Sequence, residues 1–294
     1  MNFVYKIPGP LLILTGGFCL SWGGLILRTF ESASIWQILF YRSLGLIIIL
    51  LIFVSYQSSG HPIKALISTG LGGFTAAISL VLAFSGSIYA FQETSIANAA
   101  FLFATAPLIT ALLAWPIFKE SIYKSTWIAL SLSILGILIM VSQGLSFTGF
   151  KGNIAALISA LGFAGFSLSL RWGNLRNMLP AIILGGIFSA LISGIILTLN
   201  QDGLAVSMND CLISLAMGII LLGGGMVFFS VGSKVLTASN LALLSMVEVV
   251  LAPVWGWIIL REQAEFSTLL GGGILFFALI LNALLGVRQN TQNS

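Results

Sequence analysis

Apolar runs of about twenty residues, each closed by charged, polar or Pro-containing turns, recur along the whole chain. That is the length an α-helix needs to cross the hydrocarbon core of a bilayer, given its rise of about 1.5 Å per residue. The runs predict helices near 10–28, 35–55, 65–86, 94–117 and 123–142. A second set follows near 152–171, 178–199, 211–233, 237–259 and 265–286. Connections are short and leave no room for a separate water-soluble domain. The pattern therefore predicts an all-α membrane protein of ten transmembrane helices. Lys6 ahead of the first run resembles the start of a secretion signal, but Leu11 to Leu27 is long enough to span and is read as a retained helix.

Composition strengthens the membrane reading. Of the 294 residues, 58% are apolar and 7% are charged. A soluble domain carries roughly 25% charged residues, so lipid is the expected partner of most of this surface. The net charge of +4 includes no basic cluster of the kind that holds nucleic acid. With the N-terminus inside, Lys6, Lys64, Lys119, Lys124, Arg171, Arg176, Lys234 and Arg288 fall on the cytoplasmic side. Arg28, Lys151 and Arg261 fall outside, and Arg42 lies within a span. Eight against three is a positive-inside bias that predicts both termini in the cytoplasm. Cys19 and Cys211 stand alone, and His61 is the one histidine, so neither a metal site nor a cofactor is expected.

An offset of 142 residues brings the fourth run onto the ninth. Asn98 then meets Asn240, Trp115 meets Trp257, Lys119 meets Arg261 and Glu120 meets Glu262. The expected organisation is a first five-helix repeat over residues 1–146 and a second over 147–294. An odd number of spans in each half forces the halves into opposite orientations, the plan of many secondary transporters.

Several segments carry a resemblance to a known family. They are SWGG around Trp22, FYRSLG from Phe40 to Gly45, ATAPLITALLAWPIFKE ending at Glu120, and SNLALLSMVEVVLAPVWGWIILRE ending at Glu262. Jointly they resemble the EamA-type transporters of the drug/metabolite transporter superfamily. Two positions depart from that pattern. Val249 stands where the family has Pro after the helix-nine Glu, although Pro107 keeps the equivalent place in the first half. Arg261 stands where Gly precedes the last Glu. The departures bear on whether helix nine kinks. The resemblance implies a bacterial inner-membrane carrier that exports small metabolites by alternating access. Within the family it is most similar to exporters of amino acids, aromatic ones included, with purines, drugs and other small solutes as alternative cargo. A membrane enzyme would need a clustered catalytic constellation, and a channel would need a repeated polar lining. Neither pattern is present in the sequence. The oligomeric state is left open, a monomer being compatible with everything above.

Against this background the intramembrane polar residues become candidate site residues. Glu248, halfway along helix nine, is expected to bind a substrate ammonium, carry a proton, or fix helix packing. Arg42 is expected to pair with Glu248, to snorkel outward, or to play a structural part. Asn98 and Asn240, near the starts of helices four and nine, are read as interhelical hydrogen-bonding residues or, alternatively, as substrate contacts. Leu244 and Ser245 share the broad face of Asn240 and Glu248. Trp22 is expected to wall a central cavity with Phe163 and Phe166, joined by Met226 and Phe229. The triplet Gly223, Gly224 and Gly225 is the expected hinge. Trp115, Trp127, Trp172, Trp255 and Trp257 read as interfacial anchors.

Overall fold

In a computed structural model the chain is described at residues 7–119, 124–143, 147–236 and 238–292, and its regular structure there is entirely helical. The helices of the first part are α1 (Gly9–Ser21), α2 (Gly23–Leu27), α3 (Ile35–Gln57), α4 (Pro62–Ile67), α5 (Gly70–Glu93), α6 (Ile96–Phe103), α7 (Ala106–Phe118) and α8 (Lys124–Gln143). Those of the second are α9 (Phe147–Trp172), α10 (Leu179–Leu199), α11 (Met208–Ala216), α12 (Gly225–Gly232), α13 (Ala238–Leu260) and α14 (Phe266–Gln292). A π-helical segment, Met217–Gly224, joins α11 to α12. Among the described residues seven helical stretches are long and apolar enough to cross a membrane, and three shorter apolar stretches, Thr126–Met140, Leu244–Leu260 and Phe266–Asn282, accompany them.

Local chemistry accounts for where the helices break. Thr105 precedes α7, whose second residue is Pro107. A proline removes one N–H and its ring crowds the carbonyl four residues back, so α6 ends and the chain turns at Ala104–Thr105. Pro253 is accommodated inside α13, which runs unbroken past Val249. Gly70, with φ +55°, separates α4 from α5, a left-handed conformation that glycine adopts without steric cost. The third expected span was therefore placed too early: its helix starts at Gly70 and runs to Glu93, taking in the mixed polar stretch after residue 86. Gly86, Ile88 and Ala90 of that stretch are buried.

Starts and ends are chemically specified. Ser34 caps α3 in a reciprocal box with Gln37, Ser95 accepts from Asn98 N at the start of α6, and Ser207 accepts from Asp210 N at the start of α11. Lys119 and Arg261, equivalent under the 142-residue offset, follow α7 and α13 at φ +56° and +54°. Both are left-handed, a conformation that costs a non-glycine residue roughly 1–2 kcal/mol.

Packing arranges the long helices in two rows. In one, α3 packs on α11 and the π segment, α12 on α1, and α1 on α13. In the other, α10 packs on α5, α5 on α9, and α9 on α6 and α7. The rows meet through α3 with α10 at one end and α6 with α13 at the other, while α8 and α14 pair alongside. Small residues let backbones touch at these seams. A Cβ on Gly45 would lie 2.4 Å from the Leu215 carbonyl oxygen, one on Gly16 3.0 Å from that of Gly225, and one on Gly136 2.6 Å from that of Gly271. In lipid such close packing must supply what water expulsion supplies in a soluble core.

Candidate functional site

The α1–α13 seam holds the densest group of candidate residues. A Cβ on Gly17 would sit 3.5 Å from the backbone nitrogen of Glu248. One turn further along α1, Ser21 Oγ accepts a hydrogen bond from Trp255 Nε1 at 2.9 Å. Residues 17 and 21 share a helical face, as do 248 and 255, so the two helices meet in parallel along matching stripes. Trp22 stacks on Trp255 with centroids 4.7 Å apart and planes 25° from parallel. Phe18 meets both rings edge-on, at 6.1 Å and 5.9 Å. Aromatic contacts of this kind contribute about 0.5–1.5 kcal/mol each beyond the area they bury. Trp255 is thus not the interfacial anchor expected from its place near a span end. It belongs to an aromatic cluster at the junction of α1 and α2, where the chain turns at Trp22. Trp115, Trp127, Trp172 and Trp257 are exposed on the bundle surface, as interfacial side chains are.

Glu248 is half-buried on this seam. The expected ion pair with Arg42 is not formed. Arg42 instead turns toward α5, where Nη2 donates to the Phe84 carbonyl oxygen at 3.4 Å and the guanidinium carbon lies 5.1 Å from the Phe84 ring centroid. Its side chain is 6% exposed, and Nε has no partner. Snorkelling is excluded by that burial. The separation follows from the packing: α3 packs on α11 and the π segment, α12 packs on α1, and Glu248 lies on α13 at the seam with α1. Sequence depth brought the two charges level, but depth carries no information about which helices are neighbours. A buried unpaired charge costs several kcal/mol, and a contact with an aromatic face returns about 0.5–2 kcal/mol.

Phe84 also meets Phe163 edge-on at 6.5 Å. Phe163 is half-buried, and Phe166 is buried in the main apolar core, against which Phe163 and Met226 pack. Phe229 is half-buried on α12, its backbone nitrogen 3.5 Å from a Cβ placed on Gly16. Leu244 is half-buried. Ser245 lines a small cavity of about 130 Å³ with Ala104, Pro107, Met246, Val249 and Asn282, at the bend between α6 and α7. Gly223 and Gly224 end the π segment, and Gly225 opens α12. The glycine triplet therefore lies where the helix winding changes, a feature frequent at functional sites. The structure adds that Gly218, five residues earlier, is the tighter contact: a Cβ there would lie 2.0 Å from the Arg42 carbonyl oxygen.

Asn98 forms an interhelical clamp. Its Nδ2 donates to Thr94 Oγ1 at 3.1 Å and to Asn153 Oδ1 on α9, which also accepts from Thr94 Oγ1 at 2.9 Å. The Asn240 side chain, equivalent under the offset, lies outside the described residues. Around this end of the bundle Arg28 Nη2 donates to the Thr94 carbonyl at 2.6 Å, and Glu262 Oε1 accepts from Ile96 N at 2.9 Å, capping α6. Glu262 also borders a cavity of about 410 Å³ with Ile96, Pro253 and Trp257. Asp210, fully buried, accepts from the backbone nitrogens of Glu31, Ser32 and Ala33 at 3.1–3.3 Å and from Ser32 Oγ, tying the α2–α3 connection to the start of α11. Sequence reasoning assigned none of these roles to Asn153, Glu262 or Asp210, because partners separated by 55 to 179 positions leave no local signal.

Comparison with known proteins bears on what this bundle does. A family model described as the EamA-like transporter family matches the chain twice, over residues 7–142 and 150–284. The pseudopaline exporter CntI, from two strains of Pseudomonas aeruginosa, is 25% identical over 279 residues, covering 92% of this chain and 94% of the relative. A crystal structure described simply as that of a protein superposes with a TM-score of 0.64 over 94% of this chain and 97% of the other, at 13% identity, a likeness of fold. With matches that take in nearly the whole chain, laid over a bundle of apolar helices joined through buried polar clamps, this protein belongs to the EamA-like transporter family.

Proposed function

We propose that this protein exports small metabolites across a bacterial inner membrane by alternating access, and that its substrates are amino acids, neutral and aromatic ones included. In this reading the three shorter apolar helices cross the membrane with the other seven, giving ten spans in two inverted halves with both termini cytoplasmic. The observation that carries it is the correspondence between the two family matches and the packing. The principal contacts of one half have counterparts when the halves are exchanged: α5 packs on α9 as α12 packs on α1, and α10 on α5 as the π segment on α3. The pairs α3–α10, α6–α13 and α8–α14 map onto themselves. The left-handed ends at Lys119 and Arg261 obey the same relation. A pseudo-twofold of this kind supports a substrate site between the two rows, near the midplane. Glu248 then supplies the carboxylate for a substrate ammonium, and the Trp22–Trp255 pair supplies an apolar wall beside it.

Proteoliposomes containing the purified protein should accumulate labelled neutral and aromatic amino acids above empty controls. Absence of uptake for every amino acid, with the protein correctly folded, would refute the substrate assignment. The relatives that export pseudopaline are similar over nearly their full length, so pseudopaline is the second substrate to assay. Glu248→Gln should change the transport rate or its pH dependence. An unchanged profile would reduce Glu248 to a packing residue.

A further inference from the structure

We infer that Arg42 is the binding group for the substrate's carboxylate. Its guanidinium is buried, its Nε has no partner, and its one hydrogen bond to protein is the 3.4 Å contact with the Phe84 carbonyl. Among the described residues no carboxylate pairs with it. Of the eight acidic residues, Glu31, Glu93, Glu120, Asp202, Asp210, Glu262 and Glu265 lie at or beyond span ends, and Asp210 is already engaged by the loop before α3. Glu248, the remaining one, lies on the seam of α13 with α1. A guanidinium left with free N–H groups in a low-dielectric interior is suited to a carboxylate, whose two oxygens match its fork.

The surroundings fit an amino acid better than an inorganic anion. Phe84 beneath the guanidinium and Phe163 edge-on to it form an aromatic wall from α5 and α9. On the other side α3 lies against the π segment, where Gly218 touches the Arg42 carbonyl. Arg42 is covered in the present arrangement, so the carboxylate reaches it as the rows part during the transport cycle. The assignment rests on the transport reading above and narrows it to substrates that carry a carboxylate.

The test is binding to purified protein in lipid nanodiscs, read as thermal stabilisation and as titrated affinity. The probes are phenylalanine, benzoate and sodium chloride, with phenethylamine as the partner lacking a carboxylate. Phenylalanine and benzoate should stabilise the wild type and chloride should not, while any stabilisation by phenethylamine, which has only the ammonium for Glu248, should persist unchanged in Arg42→Gln. Arg42→Gln should weaken both carboxylates at least tenfold. If that variant does not fold, Arg42→Lys, which keeps the charge but loses the fork, should weaken them by several fold. Gly136→Ala, which overpacks the α8–α14 seam away from the site, serves as the control for a general loss of stability. The inference is overturned if no carboxylate stabilises the wild type. It is equally overturned if Arg42→Gln or Arg42→Lys binds carboxylates as tightly as wild type, or if Gly136→Ala abolishes binding to the same degree as Arg42→Gln. Carboxylate binding without amino-acid uptake would refute the transport substrate and leave the site standing.

Discussion

Gly218 offers the sharpest quantitative test of the packing. It lies in the π segment against α3, and a Cβ there would sit 2.0 Å from the Arg42 carbonyl oxygen, 2.8 Å from Leu46 N and 3.0 Å from the Arg42 carbonyl carbon. Ordinary carbon–oxygen contact needs more than an ångström beyond the first of these. The atoms met are all backbone, so no side chain can rotate away. Gly218→Ala must therefore push α3 off the α11–α12 span, opening the contacts at Gly45 and Gly223 on the same seam. Overpacking in a close-packed interior costs about 1–3 kcal/mol, and a backbone clash this deep belongs at the upper end. About 3 kcal/mol is roughly a hundredfold in the folding equilibrium. The matched control is Gly23→Ala, since a Cβ on Gly23 meets nothing within 4 Å. Thermal unfolding in nanodiscs should show a fall of several degrees for Gly218→Ala and no fall for Gly23→Ala. Equal melting of Gly218→Ala and wild type would refute the backbone contact between α3 and the π segment.

Other consequences follow from the polar clamps. Asp210→Ala removes the acceptor for three backbone N–H groups and a hydroxyl, each worth about 1–3 kcal/mol when left unpaired. The α2–α3 connection should become protease-sensitive, and resistance equal to wild type would refute the tie. Asn98→Ala and Asn153→Ala should each cost around 1 kcal/mol. Their double-mutant cycle should return a coupling of at least about 0.5 kcal/mol, and strict additivity would show that the bond in question does not form. Trp255→Phe loses ring area and the donor to Ser21, so it should destabilise by about 1 kcal/mol more in wild type than in a Ser21→Ala background.

The membrane class and the approximate span positions were legible in the residues themselves. A chain with 7% charge cannot face water, and twenty-residue apolar runs have few other uses. The offset of 142 pairs Lys119 with Arg261, and both are left-handed in the structure. Helix interruptions were less visible. Pro107, Gly23–Gly24 and Gly223–Gly225 sit at or beside them, but with 32 glycines along the chain a glycine does not by itself say where a helix turns or changes its winding.

Partners across the bundle were decided by tertiary structure alone. Hydropathy orders residues by depth, and depth put Arg42 level with Glu248. Packing put the two on different seams, and turned the guanidinium to Phe84. It likewise took Trp255 from an expected interfacial place and stacked it on Trp22. The physical reason is that lipid specifies only that a surface be apolar, so every face of a span looks alike in the sequence. Which face meets which helix is settled by close fit at glycines such as Gly17 and Gly218, and by a few buried hydrogen bonds whose two ends lie far apart along the chain.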